Sequence, residues 1–336
     1  MTGSNSGKRK GRRKKSPLKW WHDRIKTLKG SGFDPKEIHE QIIAEEPSLE
    51  GAPYVKGEWT AIKLSILTYY MDIYTSIIKK HFKKNICYVD TFAGPGIVII
   101  KEKHGKGNPI YLYGSPALAV FVPKEKVKFD KYIFVEKDVK RSNYLRMVMN
   151  KLSEQGYIDQ KDYLIINRDM NEISYSYILA KNWCNHSLVF IDPEGLEPKW
   201  RTVYSILSLN ADVLLSFISF GVRRIWGKAL KNNEKEKELI TEFYGDESWR
   251  YASDSEDLLD RYINKIKEKT RKLVLPIKVR ISPSIYYDVI LVTRRTKRGS
   301  PYLQPVEILK SKIERTKPKD FVKILDVIAG RRATLF

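Results

Sequence analysis

The sequence predicts an α/β fold, a doubly wound and mainly parallel sheet, and three observations carry that expectation. First, five apolar segments read as strands: Ile86–Asp90, 132–136, 163–167, 187–191 and Ala211–Phe217. Between the second and the fifth lie amphipathic helical patterns at 138–154, 170–182 and 199–209. Strands without polar alternation, spaced by helices, build βαβ units whose sheet is covered on both faces. Second, the first strand runs into Thr91-Phe-Ala-Gly-Pro-Gly96, the kind of turn where α/β proteins bring backbone N–H groups close to a nucleotide-like ligand. Third, successive strands deliver a carboxylate to one edge: Asp90, Glu136, Asp169 just beyond the third, and Asp192. In such sheets ligands bind outside the carboxyl ends of the strands.

The elements follow in order. Residues 1–16 hold no apolar side chain after Met1 and seven cations, Lys8, Arg9, Lys10, Arg12, Arg13, Lys14 and Lys15, so they read as a disordered basic arm. Residues 17–53 read as a helical prefix and linker. Trp20, Trp21, Ile25 and Leu28 fall at helical spacing before Gly30-Ser-Gly32, and Asp34-Pro35 caps a second helix. The α/β domain spans 54–312. It opens on a long helix from Trp59 with Ile62, Ile66, Leu67, Tyr70, Ile73, Tyr74 and Ile77 on one face. Lys63 lies on or beside that face, either snorkelling from the core or facing a ligand. Residues 97–101 and 109–113 suggest a hairpin or loop with a basic tip, where His104 reads as a surface residue rather than a metal ligand. After the fifth strand, Phe220 to Gly227 sets Arg223 and Arg224 beside apolar and aromatic residues, a surface suited to phosphate and base, or simply a helix start with exposed charge. Tyr286–Thr293 is a strand, followed by the basic turn Arg294, Arg295, Lys297, Arg298, and 306–309 is its expected antiparallel partner. Residues 313–336 form a C-terminal helix and tail.

Composition narrows the function. A chain of 336 residues, 42% hydrophobic, buries a large core, and its longest apolar runs, such as 211–220, are about half a bilayer span. No membrane crossing and no secretory signal are expected. Cys87 and Cys184, far apart, offer neither a disulfide framework nor a zinc pattern and read as core thiols in a reducing cytoplasm. No metal site is predicted. The 62 Lys and Arg against 40 Asp and Glu give a net charge of +22, the footprint of a polyanion partner, most often nucleic acid. The alternative is a Lys-rich surface of a heat-adapted protein.

The strand-end residues suggest a ligand. Gly94 and Gly96 allow close backbone approach, Glu136 at the end of the second strand suits two ribose hydroxyls, and Asp169 suits an exocyclic amino group of adenine. That set fits an adenosine-bearing cofactor, NAD or S-adenosylmethionine. Pro95 removes a backbone donor that a pyrophosphate needs, which favours the sulfonium cofactor, a ligand without phosphate.

The motifs Val89-Asp-Thr-Phe-Ala-Gly-Pro-Gly96, Gly114-Ser-Pro116, Phe134-Val-Glu136, Ile191-Asp-Pro-Glu-Gly195 and Asp212-Val-Leu-Leu-Ser216 resemble those of the three-Cys-motif partner protein (TcmP) family. Trp59-Thr-Ala-Ile-Lys63 and Phe243-Tyr-Gly245 extend the similarity over about 55–310. The resemblance implies a Rossmann-like core similar to class I S-adenosylmethionine-dependent methyltransferases, and the motif arrangement also resembles enzymes that methylate adenine N6 in 23S ribosomal RNA. It implies that Asp90, Gly94, Gly96, Ser115, Glu136 and Asp169 contact the cofactor, with Lys63 at its border, and that a three-cysteine-motif protein related to radical-SAM proteins is a partner. Asp192-Pro193 is similar to the acceptor motif of amino-methyltransferases, but Glu194 and Gly195 stand where those enzymes have a second proline and an aromatic ring. An Asp-Pro-x-Gly turn resembles that of tRNA guanine N2-dimethyltransferases. Glu194 reads as a proton acceptor or as the cap of the helix that follows. Two functions are therefore expected: a methyltransferase acting on an exocyclic amine of RNA, less so DNA, through Asp192, Pro193 and Glu194; or an inactive, methyltransferase-like nucleic-acid-binding partner of the three-cysteine protein.

Overall fold

A computed structural model of the chain describes residues 28, 34–57, 59–82, 85–100, 109–231, 233–280, 286–295 and 303–316, with isolated positions beyond. The expected basic arm, the helix before Gly30, the hairpin tip with His104, the basic-turn residues Lys297 and Arg298, and the helix around 321–328 lie outside the described residues.

The five predicted parallel strands form: β2 (Ile86–Asp90), β5 (Lys131–Val135), β6 (Tyr163–Ile166), β7 (His186–Ile191) and β8 (Ala211–Phe217). With β9 (Leu273–Arg280) and β10 (Tyr286–Thr293) they make a seven-stranded sheet in the order β6-β5-β2-β7-β8-β10-β9. The first five are parallel, and β10 runs antiparallel to both β8 and β9. A smaller sheet joins β1 (Tyr54–Lys56), β3 (Ile97–Ile100) and β4 (Ile110–Tyr113), β1 parallel to β3 and β3 antiparallel to β4.

Period two on buried strands divides the core in two. On β2, Tyr88 belongs to one apolar cluster while Cys87 and Val89 belong to the other. The first cluster is closed by α1 (Pro35–Glu45), α2 (Trp59–Phe82), α3 (Ser115–Phe121), α4 (Val139–Glu154) and α10 (Leu303–Glu314). The second is closed by α5 (Tyr175–Lys181), α6 (Trp200–Leu207), α7 (Ser219–Ala229), α8 (Glu234–Tyr244) and α9 (Ser255–Thr270). Helices on both faces make the sheet doubly wound. Local signals place the helices: Asp34 caps α1 ahead of Pro35, and Asp138 caps α4 by accepting from the Arg141 amide at 2.8 Å.

Four expectations are corrected. Residues 306–309 are helical, because Val306, Leu309 and Ile313 recur at helical spacing and are buried together. The partner of β10 is β9, whose Pro276 is tolerated on an edge strand. The pattern at 170–182 divides into a 3-10 turn, Met170–Glu172, and α5, because Asp169 caps the turn and the chain is extended at Ser174. Cys87 and Cys184 are not free thiols: they form a disulfide between β2 and the segment after α5, with Cα atoms 5.6 Å apart.

Candidate functional site

The site grows from the turn after β2. Gly94 and Gly96 both take positive φ, +63° and +79°, a region L side chains rarely enter. A Cβ at Gly96 would also stand 2.9 Å from Leu145 Cδ1. The Ala93 amide donates to the Val135 carbonyl at 2.9 Å, and the Gly114 amide to the Gly96 carbonyl at 2.8 Å, so the turn is tied to β5 and to the entry of α3. Glu136 clamps it from below: its carboxylate accepts from the Gly94 amide at 2.9 Å and from the Asp138 amide at 2.8 Å. Burial raises the Glu136 pKa, and those two amide bonds oppose the rise. Asp90 has no exposed surface. It accepts from Tyr88 Oη at 3.1 Å and the Phe92 amide at 3.2 Å, and it bonds the Ser115 side chain. Burial pushes its pKa up to about 7 against those hydrogen bonds, with nearby Asp192 adding to the rise.

Above the turn lies β1. The Tyr54 ring covers Gly94, its Cε2 standing 3.2 Å from where a Cβ would be. Two cations contact that ring, the Arg141 guanidinium 3.5 Å and Lys56 Nζ 3.8 Å from its centroid, and Arg141 also donates to the Tyr54 hydroxyl. Under this strap a cleft of about 70 Å³ is lined by Phe92, Gly94, Pro95, Gly114 and Ser115. Glycines that admit close backbone approach, with the carboxylates of Asp192 and Glu194 and the single cation Lys56 in the lining, are compatible with a sulfonium ligand.

The cleft continues into a second pocket of about 180 Å³, the two sharing Lys56, Thr60, Asp192 and Glu194 as walls. Here Lys63 Nζ holds both oxygens of Asp192, at 2.6 and 2.8 Å. Lys56 pairs with Glu194 at the rim. Pro193, Ile218 and Phe220 supply an apolar side, while Ser216 from β8 and Tyr287 from β10 supply hydroxyls.

The structure thus brings Lys63, Gly94, Gly96, Ser115, Asp192, Pro193 and Glu194 to two adjoining pockets. Asp90 and Glu136 line neither pocket and are tied to the glycine turn through the Phe92 and Gly94 amides. Asp169 caps its 3-10 turn, accepting from the backbone and side-chain nitrogens of Asn171 at 2.8 and 2.9 Å, and lines neither pocket. Glu194 caps no helix, which corrects that reading: the N-cap of α6 is Lys199, and the Gly195 amide donates to Glu197 at 2.7 Å. Arg223 and Arg224 are exposed on α7, three and four residues after Phe220, on one side of that helix. Arg294 and Arg295 do not join them. They follow the end of antiparallel β10, where Val292 pairs with Val213 near the start of β8, so they lie at the edge of the sheet away from the pockets. Sequence reasoning did not single out Tyr54, Lys56 and Tyr287, and it quoted Thr60, Ser216 and Phe220 within longer stretches without giving them a site role of their own. For Phe220 the available signal was its place three residues beyond the end of β8, ahead of Arg223 and Arg224. Among the described residues no cluster of His, Cys, Asp and Glu is arranged to hold a metal, and no helix is long and apolar enough to cross a membrane.

A parallel five-stranded sheet extended by an antiparallel pair, with acidic residues and a glycine turn at its carboxyl edge, defines a doubly wound, Rossmann-like α/β fold. No protein-family profile matches the sequence, and a search of curated proteins finds no match. Solved structures with similarity to this chain include a Legionella pneumophila protein of the DUF519 family, at 17% identity over 74% of this chain and 89% of that one, TM-score 0.44. They also include a protein described as a candidate RNA methyltransferase from Pyrococcus horikoshii, at 12% identity over 74% and 96%, TM-score 0.34. A candidate S-adenosyl-L-methionine-dependent methyltransferase from Methanococcus maripaludis matches at 13% identity over 80% and 96%, TM-score 0.32.

Proposed function

We propose that this chain is an S-adenosylmethionine-dependent methyltransferase that acts on an exocyclic amine of a nucleic-acid base, RNA before DNA, in the cytoplasm. The observation that carries the reading is the continuity of the glycine-turn cleft with the Asp192 pocket through shared walls. In this reading the glycine-turn cleft takes the cofactor and the adjoining pocket the acceptor. The net charge of +22 supports a polyanionic substrate.

In this reading Gly94, Gly96 and Ser115 hold the cofactor, Glu136 accepts from its ribose, and Asp90 fixes Ser115 and the turn, while Lys63 belongs to the adjoining pocket and Asp169 to its own turn. When bound, the cofactor supplies a methyl group activated on a sulfonium sulfur. Asp192 accepts a hydrogen bond from the acceptor amine and orients its lone pair, which is catalysis by positioning. Lys63 fixes the Asp192 carboxylate in one orientation. Glu194, held at the rim by Lys56, accepts the proton the amine gives up.

Calorimetric titration with S-adenosylhomocysteine, combined with transfer of labelled methyl to RNA and DNA, tests this. Glu136→Ala is expected to abolish cofactor binding while the fold persists, and Asp192→Ala to bind cofactor and transfer nothing. No binding by the wild-type protein, or normal turnover by Asp192→Ala, refutes the reading. One observation favours a second reading, a non-catalytic partner of a three-cysteine-motif protein: both oxygens of Asp192 are already engaged by Lys63. That protein would bind cofactor and nucleic acid without transfer.

A further inference from the structure

The Asp192 turn lacks the aromatic ring on which an acceptor base would stack, yet the pocket it faces has one. Phe220, at the start of α7, is 45% exposed and lines the same pocket as Asp192. An aromatic side chain left open at the mouth of a polar pocket is unusual for packing and ordinary for ligand contact.

The pocket holds a second unexplained feature. Ser216 Oγ and Tyr287 Oη are buried and have no hydrogen-bond partner among the described residues. Their residues are 2% and 4% exposed, and both line this pocket. A buried hydroxyl without a partner costs about 1–3 kcal/mol, so two in one small pocket point to a ligand that completes them. The two come from neighbouring strands on the same face, since Ser216 pairs with Val289 and Tyr287 lies two residues before it. Pro193 and Ile218 add apolar wall to the same pocket. Lys56, Thr60, Lys63, Asp192 and Glu194 complete the lining of this pocket of about 180 Å³.

Resting on the methyltransferase reading, we propose that Phe220, Ser216 and Tyr287 form the acceptor-base subsite. Phe220 supplies the stacking ring missing after Pro193, and the two hydroxyls read the edge of a planar base that has left its stack. Arg223 and Arg224, on the Phe220 side of α7, hold the flanking phosphates. The target is single-stranded or extruded, because a paired base cannot present its ring to Phe220.

The test measures binding of fluorescein-labelled RNA decamers of A, C and U by anisotropy at fixed salt, with S-adenosylhomocysteine calorimetry on the same proteins. Phe220→Ala is expected to weaken at least one decamer about tenfold, the size of one base on one ring, and Phe220→Tyr to bind within about twofold of the wild-type protein. Tyr287→Phe and Ser216→Ala are expected to weaken the preferred decamer about fivefold, as for one hydrogen bond, while urea stability stays level or rises because an unpaired hydroxyl is gone. A structural role would lower stability instead. If the wild-type protein binds cofactor and RNA and Phe220→Ala leaves all three decamers unchanged, the subsite is wrong and the methyltransferase reading stands. If RNA binding depends on Phe220 but no cofactor binds, the base pocket stands and the transfer reading falls. Binding of neither overturns both.

Discussion

Asp90 offers the most direct test of how the glycine turn is held. Its carboxyl is fully buried, and its pKa rises from 3.8 to about 7. Between those values the folded protein binds a proton that the unfolded chain has released, so the contribution of Asp90 to stability is complete below pH 4 and is lost as pH rises to about 7. The gap of about 3 pH units, at about 1.4 kcal/mol each, sets that loss at about 4 kcal/mol. Asp90→Asn is neutral throughout. It gives up part of the bonding to Tyr88 and the Phe92 amide, which costs about 1–2 kcal/mol. The variant is therefore expected to be less stable than the wild-type protein by about 1–2 kcal/mol near pH 3 and more stable by about 2–3 kcal/mol at pH 8, the curves crossing between. Urea unfolding of both proteins across that range reads the difference directly. Asp212, whose pKa burial raises to about 6, and Glu136 titrate in both proteins and cancel. A difference that does not change with pH refutes the account of Asp90 as a buried, desolvated carboxyl.

Three further outcomes are expected. Gly245→Ala is expected to cost several kcal/mol in urea unfolding, because Gly245 ends α8 at φ +73° and a Cβ there would lie 2.4 Å from Trp200 Cδ1; a loss below about 1 kcal/mol counts against that packing. Reducing the Cys87–Cys184 bond, which closes a loop of 97 residues, is expected to cost about 4–5 kcal/mol, and two alkylatable thiols in the unreduced, unfolded protein would show that the bond is absent. Charge reversal of Arg223 and Arg224 is expected to weaken RNA binding and flatten its salt dependence by about one unit of slope per lost phosphate contact. Reversal of Arg294 and Arg295, at the far edge of the sheet, has a smaller effect, and equal effects would remove α7 from the interface.

Much of the fold is a local property of this chain. Period two against period 3.6 separates strands from helices, so β2, β8 and β10 fall where their apolar runs fall. The residues that close each strand, Asp90, Glu136 and Asp192, occupy the carboxyl edge by connectivity alone, since parallel strands share a direction. What needed the tertiary structure is whatever depends on pairing across distance. The three residues of β1 are too short to register as a strand until β3 pairs with them, and only then does Tyr54 cover Gly94. Lys63 meets Asp192 across 129 residues, and Cys184 meets Cys87 across 97. Tyr287 reaches the pocket of Ser216 and Phe220 because β10 inserts antiparallel beside β8. Hydrophobic periodicity determines which elements form and which face each buries. It is silent on which distant elements become neighbours, and that adjacency is what places a lysine on an aspartate and an aromatic ring beside it.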